Sequence, residues 1–261
     1  MRGILKARRE WEKYWAGVPG ISPECGSFDT VYHICHIRDA FRMFEDGKIR
    51  SSLVWDESRL RNTRTCVSWV SPNLWSYGSI YGNIRFEFAW GDQVEGKQLF
   101  WIEDVPRYNP PAYRILASGE DFGTQGLDRY DPTKDKGPVL YDEKTGVWYR
   151  NTRYTGELLI DGDLLLEECT RVGFDHHNPD ICRRSRKACP DIRKNASQAG
   201  GELIARLAGH NLTRHTELFL DAAKKRRELH TEVMSAWKRL EKALSVQKGS
   251  DGRLRAKDPA A

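Results

Sequence analysis

The pattern of apolar and polar positions divides the chain into a helical start, a long strand-rich middle and a helical end. In residues 3–16, Ile4, Leu5, Trp11, Tyr14 and Trp15 recur at helical spacing, and Gly17, Pro19 and Gly20 predict a stop. Residues 29–37 are apolar and β-branched and predict a strand. A short amphipathic helix follows, with Asp39 as its cap and Ala40, Phe41 and Phe44 facing inward. Gly47 suits the end of that helix, because glycine accepts the left-handed conformation that closes many helices. Residues 56–65 are polar and arginine-rich and read as a surface loop or short helix. Strands are predicted at 65–71, 83–90, 98–104 and 112–118. In the second of these, Ile84, Phe86 and Phe88 alternate with Arg85, Glu87 and Ala89, the mark of a half-buried strand.

Residues 119–138 read as one long loop. Residues 139–150 predict a hairpin around DEKTG, and 154–160 a further strand. Beyond residue 200, leucines at helical spacing predict two helices divided near Gly209 and His210. This order predicts an α+β fold. Its expected divisions are an N-terminal helix at 1–20, a main domain at 21–182, a helical extension at 183–247 and a disordered tail at 248–261.

Composition narrows the class. A chain of 261 residues with 39% hydrophobic and 11% aromatic content can bury a full core. Apolar runs fall short of the roughly 18 residues that span a bilayer, and the charged N-terminus lacks the apolar core of a signal peptide. The expectation is a cytoplasmic protein without a membrane partner, its six cysteines reduced. A net charge of +5 permits a nucleic-acid partner without requiring one.

Three features could carry chemistry: His33 with His36 at the first strand, the aromatic segment Trp75, Tyr77 and Tyr81, and Glu157 opening the run LLI. Each has a bland reading, as a satisfied histidine, core tyrosines and a solvated glutamate. The order His33, then Tyr77 or Tyr81, then Glu157 is what joins them. The segment VYHICHI, the short helix, the step Asp46-Gly47-Lys48-Ile49 and the late motif GELLIDGDLLLEE resemble the NAD-dependent ADP-ribosyltransferases. The likeness is to the DarT group that modifies DNA bases and, further off, to the diphtheria-toxin and PARP-like branch with its His-Tyr-Glu series. It covers roughly residues 30–172.

That resemblance implies an ADP-ribosyltransferase-like split β-sheet core and an enzyme that releases nicotinamide from NAD and transfers ADP-ribose to a macromolecule. The acceptor is expected to be DNA or RNA, in a bacterial toxin or anti-phage setting, with an antitoxin protein as a further partner; a protein acceptor is the alternative. Glu157 would stabilise the oxocarbenium-like ribose. His33, Ile34 and Cys35 would hold NAD through the imidazole and the strand backbone, and Tyr77 or Tyr81 would stack on the nicotinamide ring. Cys35 stands where the family often has Thr or Ser. One of Arg59, Arg61 and Arg64 would assist, with Arg61 the expected one.

Two further groups remain. Cys169, His176, His177, Cys182 and Cys189 contain enough ligand types for zinc, but their spacing is not a compact metal-binding pattern, so no metal is assigned and zinc is not expected. Arg183, Arg184, Arg186, Lys187, Arg193, Lys194 and the run 224–227 could contact phosphates or form a solvated face. A non-catalytic, zinc-containing nucleic-acid-binding module is therefore the reading of another class. The sequence lacks Walker A, H-E-x-x-H and G-x-S-x-G motifs and a strand-borne G-x-G-x-x-G, which disfavours kinase, zinc-protease, esterase and Rossmann readings.

Overall fold

A computed structural model describes residues 25–54, 58–73, 81–103, 113–152, 154, 156–174, 177, 182, 189, 191, 196–209, 235, 238–239, 246–248 and 254–256. The helix expected at 3–16 lies outside them, as do Trp75, Tyr77, His176 and the basic residues at 183–187, 193–194 and 224–227. Among the described residues the fold is mixed α+β, mostly strands with few helices. The strands of the first half are β1 (Cys25–Phe28), β2 (Thr30–Cys35), β3 (Lys48–Ile49), β4 (Ser52–Leu53), β5 (Cys66–Val70), β6 (Ile84–Ala89) and β7 (Gln98–Glu103). Then come β8 (Tyr113–Ser118), β9 (Asp128–Tyr130), β10 (Val139–Asp142), β11 (Val147–Asn151), β12 (Leu158–Asp161), β13 (Leu164–Leu165) and β14 (Cys169–Phe174). The helices are α1 (Ile37–Asp46), α2 (Leu60–Thr63), α3 (Trp90–Val94) and α4 (Ala196–Gly209). No helix among the described residues is long and apolar enough to cross a membrane.

The chain divides into two units. The first comprises residues 1–31, 50–73 and 89–164. Its main sheet has the order β4-β5-β12-β8-β7-β9. Strand β12 runs antiparallel to β5 and parallel to β8, with Leu159 opposite both Trp69 and Leu116. Leu159 and Leu116 join Val67, Phe100, Ile102, Phe122 and Leu127 in one buried cluster, so the central strands of this sheet carry its core. The segment expected as a loop at 119–138 contains a 3-10 turn at Phe122–Gln125 and strand β9, which pairs with β7. Phe122 and Leu127 explain the difference: two apolar anchors bury in the core and hold the intervening chain against the sheet edge. The hairpin forms as expected, β10 against β11, and β1 adds on the other side of β11.

The second unit comprises residues 32–49, 74–88 and 165–261. Its sheet has the order β14-β6-β2, with α1 and α4 packed together. Ile37, Ala40 and Phe44 bury one side of α1, and Phe44 meets Phe86 of β6 with ring centroids 5.2 Å apart. Strand β6 differs from the half-buried expectation, because Ile84 through Phe88 are all buried. A central strand has both faces covered, and its polar face is satisfied internally. Arg85 donates through Nε and Nη2 to Glu87 Oε1 at 3.1 and 3.0 Å, and its guanidinium lies 5.1 Å from the centre of the Tyr32 ring. In the stretch expected as helical extension and tail, the described pieces include α4 and two short antiparallel strands, Val246–Lys248 and Leu254–Ala256.

Candidate functional site

The strand-to-helix step at residues 33–37 is built from one short run. His33, Ile34 and Cys35 end β2, and α1 opens at Ile37 with His36 as its N-cap residue. Asp39, expected as the cap, lies inside the first turn instead. His36 makes no capping bond with its side chain. That work is done from far along the chain: the buried Asp191 carboxylate accepts the Ile37 N–H at 2.9 Å. A carboxylate at a helix N-terminus satisfies an otherwise orphaned donor and complements the helix dipole. At the other end Gly47 adopts φ +68° and donates to Met43 and Phe44 carbonyls, as its position predicts.

His33 and Ile34 are half-buried, while Cys35 is buried with its thiol directed at Met43 Sδ, 3.8 Å away. Tyr81 is half-buried and stands three residues before β6, a sheet neighbour of β2. Between Tyr81 and β6, Gly82 crosses the Cys35–His36 peptide so closely that a Cβ there would collide with the carbonyl and the next nitrogen. The histidine strand and one of the two tyrosines are thus on adjacent elements of one unit.

Glu157 belongs to the other unit. It is half-buried and stands one residue before β12, which begins at Leu158 rather than at 154. Gly156 before it takes φ +68°, and its open side faces Asn73 Nδ2 and Arg150 Nε at 3.3 and 3.4 Å from where a Cβ would be. Burial lowers the Arg150 pKa, and among the described residues its Nε has no hydrogen-bond partner. Arg150 escaped the sequence reading because it sits in a hairpin strand with no motif around it.

The three arginines read from the sequence are placed differently. Arg59 donates to the Gly126 carbonyl and to Asp128 at 2.6 and 3.0 Å. Arg61 is exposed on the four-residue helix α2, and Arg64 is exposed at φ +57°. Both lead into the Cys66 end of β5, whereas Leu158 pairs with Val70 at the other end. The register therefore sets the start of β5 four residue steps, roughly 13 Å, from the Glu157 end of β12.

The second unit also gathers His36, His177, Cys182 and Cys189, whose ligand atoms all lie within 4.8 Å of one another. His177 Nε2 is 3.0 Å from Cys189 Sγ, and His36 Nε2 is 3.4 Å from Cys189 Sγ and 3.6 Å from Cys182 Sγ. The two rings meet edge to face at 4.9 Å. Relative exposures are 3%, 7%, 9% and 7% in chain order, so the group is closed to solvent. Burial, chiefly, with Cys182 adding to it, pushes the Cys189 thiol up to about 11. The sequence set thus changes membership. Cys169 lies in β14, its thiol directed at the Arg171 carbonyl at 3.1 Å and pushed up to about 11 by burial. His36 takes its place, a residue 141 positions before His177 that only the tertiary fold could supply. Comparison with protein-family models, with curated proteins and with solved structures finds no match for this chain.

Proposed function

We propose that the chain is an NAD-dependent ADP-ribosyltransferase that releases nicotinamide and transfers ADP-ribose to a nucleic-acid acceptor. The resemblance of residues 30–172 to that family motivates the reading. The observation that supports it best is the adjacency of the His33 strand and the Tyr81 segment, packed through Gly82 against Cys35 and His36. A histidine that holds a ribose hydroxyl and an aromatic face that covers nicotinamide need such neighbouring supports. Tyr77 or Tyr81 would be the stacking residue, and Tyr81 is the one seen beside that strand. Glu157 would be the carboxylate that stabilises positive charge on the ribose. Arg150, beside Gly156, joins Arg61 as a cation proposed to assist Glu157. Nucleic acid is preferred over protein as acceptor because the basic residues at 183–187 and 193–194 suit phosphate contacts. The test is incubation with NAD labelled in its adenylate and separate DNA, RNA and protein acceptors. Label should enter a nucleic acid and be lost in Glu157→Gln; label in protein alone would refute the acceptor, and absence of label everywhere the activity.

The clustered His and Cys side chains favour one second reading, a non-catalytic nucleic-acid-binding module. Arg183, Arg184, Arg186 and Lys187 stand in sequence between Cys182 and Cys189. Salt-sensitive nucleic-acid binding without NAD turnover would identify it.

A further inference from the structure

We propose that His36, His177, Cys182 and Cys189 bind one zinc ion in a closed, structural site that ties His177, Cys182 and Cys189 to the end of β2. The inference concerns the second unit alone and stands whether or not the protein turns over NAD.

Geometry comes first. Zinc takes four N and S ligands tetrahedrally at about 2.0–2.1 and 2.3 Å, so the N-to-S edges of its coordination shell are about 3.6 Å. The cluster's His–Cys separations of 3.0, 3.4 and 3.6 Å run from somewhat shorter than that edge up to it, and all four donor atoms fit within 4.8 Å. The donor set is chemically selective as well. Two imidazoles with two thiolates in tetrahedral array suit zinc, whereas calcium and magnesium require oxygen. All four positions come from the protein and all four side chains are buried, leaving no open position for a substrate, which marks the site as structural. As each zinc–sulfur bond forms, the cysteine thiol gives its proton to water.

The surroundings are built to hold these ligands. His36 uses its backbone as the α1 N-cap while its ring turns to the cluster through Nε2. Its Nδ1 faces Asp39 Oδ2 at 4.0 Å, a carboxylate on the side where histidine ligands commonly have one. Asp191, two residues beyond Cys189, bonds the first N–H of α1 and so docks the ligand-bearing segment independently of the metal. Without an ion, four polar side chains would converge in a space where burial of polar groups is costly. One ion accounts for all four together. It also joins positions 36 and 177–189, a long loop whose closure contributes to the stability of a small unit. The structural consequence falls on His33, three residues before a ligand and on the same strand end.

The experiment is elemental analysis of the full chain purified without chelator, with exchange into cobalt as a second readout. One zinc per chain is expected, and the cobalt form should show the intense visible bands of a tetrahedral thiolate site. Cys169→Ser should keep the ion, and His36→Ala and Cys189→Ser should reduce it to background. His36→Cys preserves a four-ligand set and should retain it. A folded wild-type chain that takes up neither zinc nor cobalt would overturn the proposal. So would full zinc content in His36→Ala, or a Cys182–Cys189 disulfide found in the native protein.

Discussion

Replacement of Glu87 by glutamine tests how the second unit tolerates charge inside its sheet. Arg85 and Glu87 sit on the central strand β6 with side chains only 6% and 11% exposed, and two donors of Arg85 converge on one oxygen of Glu87 at 3.1 and 3.0 Å. Breaking one partner of a buried pair costs about 3–5 kcal/mol, because a charge is left in a medium that solvates it poorly. For a protein of this size each kcal/mol moves the melting temperature by roughly 2–4 °C, so a drop of about 6–20 °C is expected. Arg85→Met should cost less, since Glu87 still has Arg171 Nε at 4.0 Å. The double change Arg85→Met with Glu87→Met should recover most of the loss, since apolar pairs often replace buried ion pairs at no net cost. Thermal melts of wild type, Arg85→Met, Glu87→Met and the double variant close a double-mutant cycle, with Glu87→Gln measured beside them. Equal melting temperatures for wild type and Glu87→Gln, or a double variant as unstable as the sum of the singles, would refute the reasoning.

Two further outcomes follow from other parts of the fold. Gly82→Ala would put a carbon inside 3.0 Å of three backbone atoms at φ +147°, where ordinary contact starts at 3.4 Å and no side chain can swing aside; a loss of about 2–5 kcal/mol is expected in melts, against less than about 1 kcal/mol for the open Gly119→Ala control. Burial holds the Tyr130 phenol well above its ordinary value, with its hydroxyl donating to the Val139 carbonyl. Above about pH 10 the unfolded chain then binds fewer protons than the native one, so stability falls with rising pH by at most about 1.4 kcal/mol per unit. Melts from pH 9 to 11 should slope less in Tyr130→Phe, and identical slopes would contradict the assignment.

Much of the fold was legible because local rules decided it. Strand β7 and the hairpin β10–β11 follow from apolar runs bounded by turn residues, and Gly47 ends α1 by its own conformational freedom. The misses have one common cause, namely partners distant in sequence. Asp39 had the right type and place for a cap, but Asp191 took the role from 154 residues away. Strand β9 was hidden in a polar segment whose two apolar anchors reach the core. Arg85 and Glu87 read as a solvated face because alternation cannot distinguish water from an internal ion pair. The cluster of His36 with Cys182 and Cys189 was beyond any spacing rule, because His36 stands between β2 and α1 and the others lie after β14.

The most direct test of the proposed activity is release of nicotinamide from NAD, followed by chromatography in the presence of mixed nucleic acid. The account predicts steady release by the wild-type chain, a fall of a hundredfold or more, on the order of a lost electrostatic stabiliser, in Glu157→Gln, and a substantial loss in His33→Ala, each with unchanged melting temperature. Wild-type protein that is folded and zinc-loaded yet releases none, or Glu157→Gln that releases it at the wild-type rate, would contradict it.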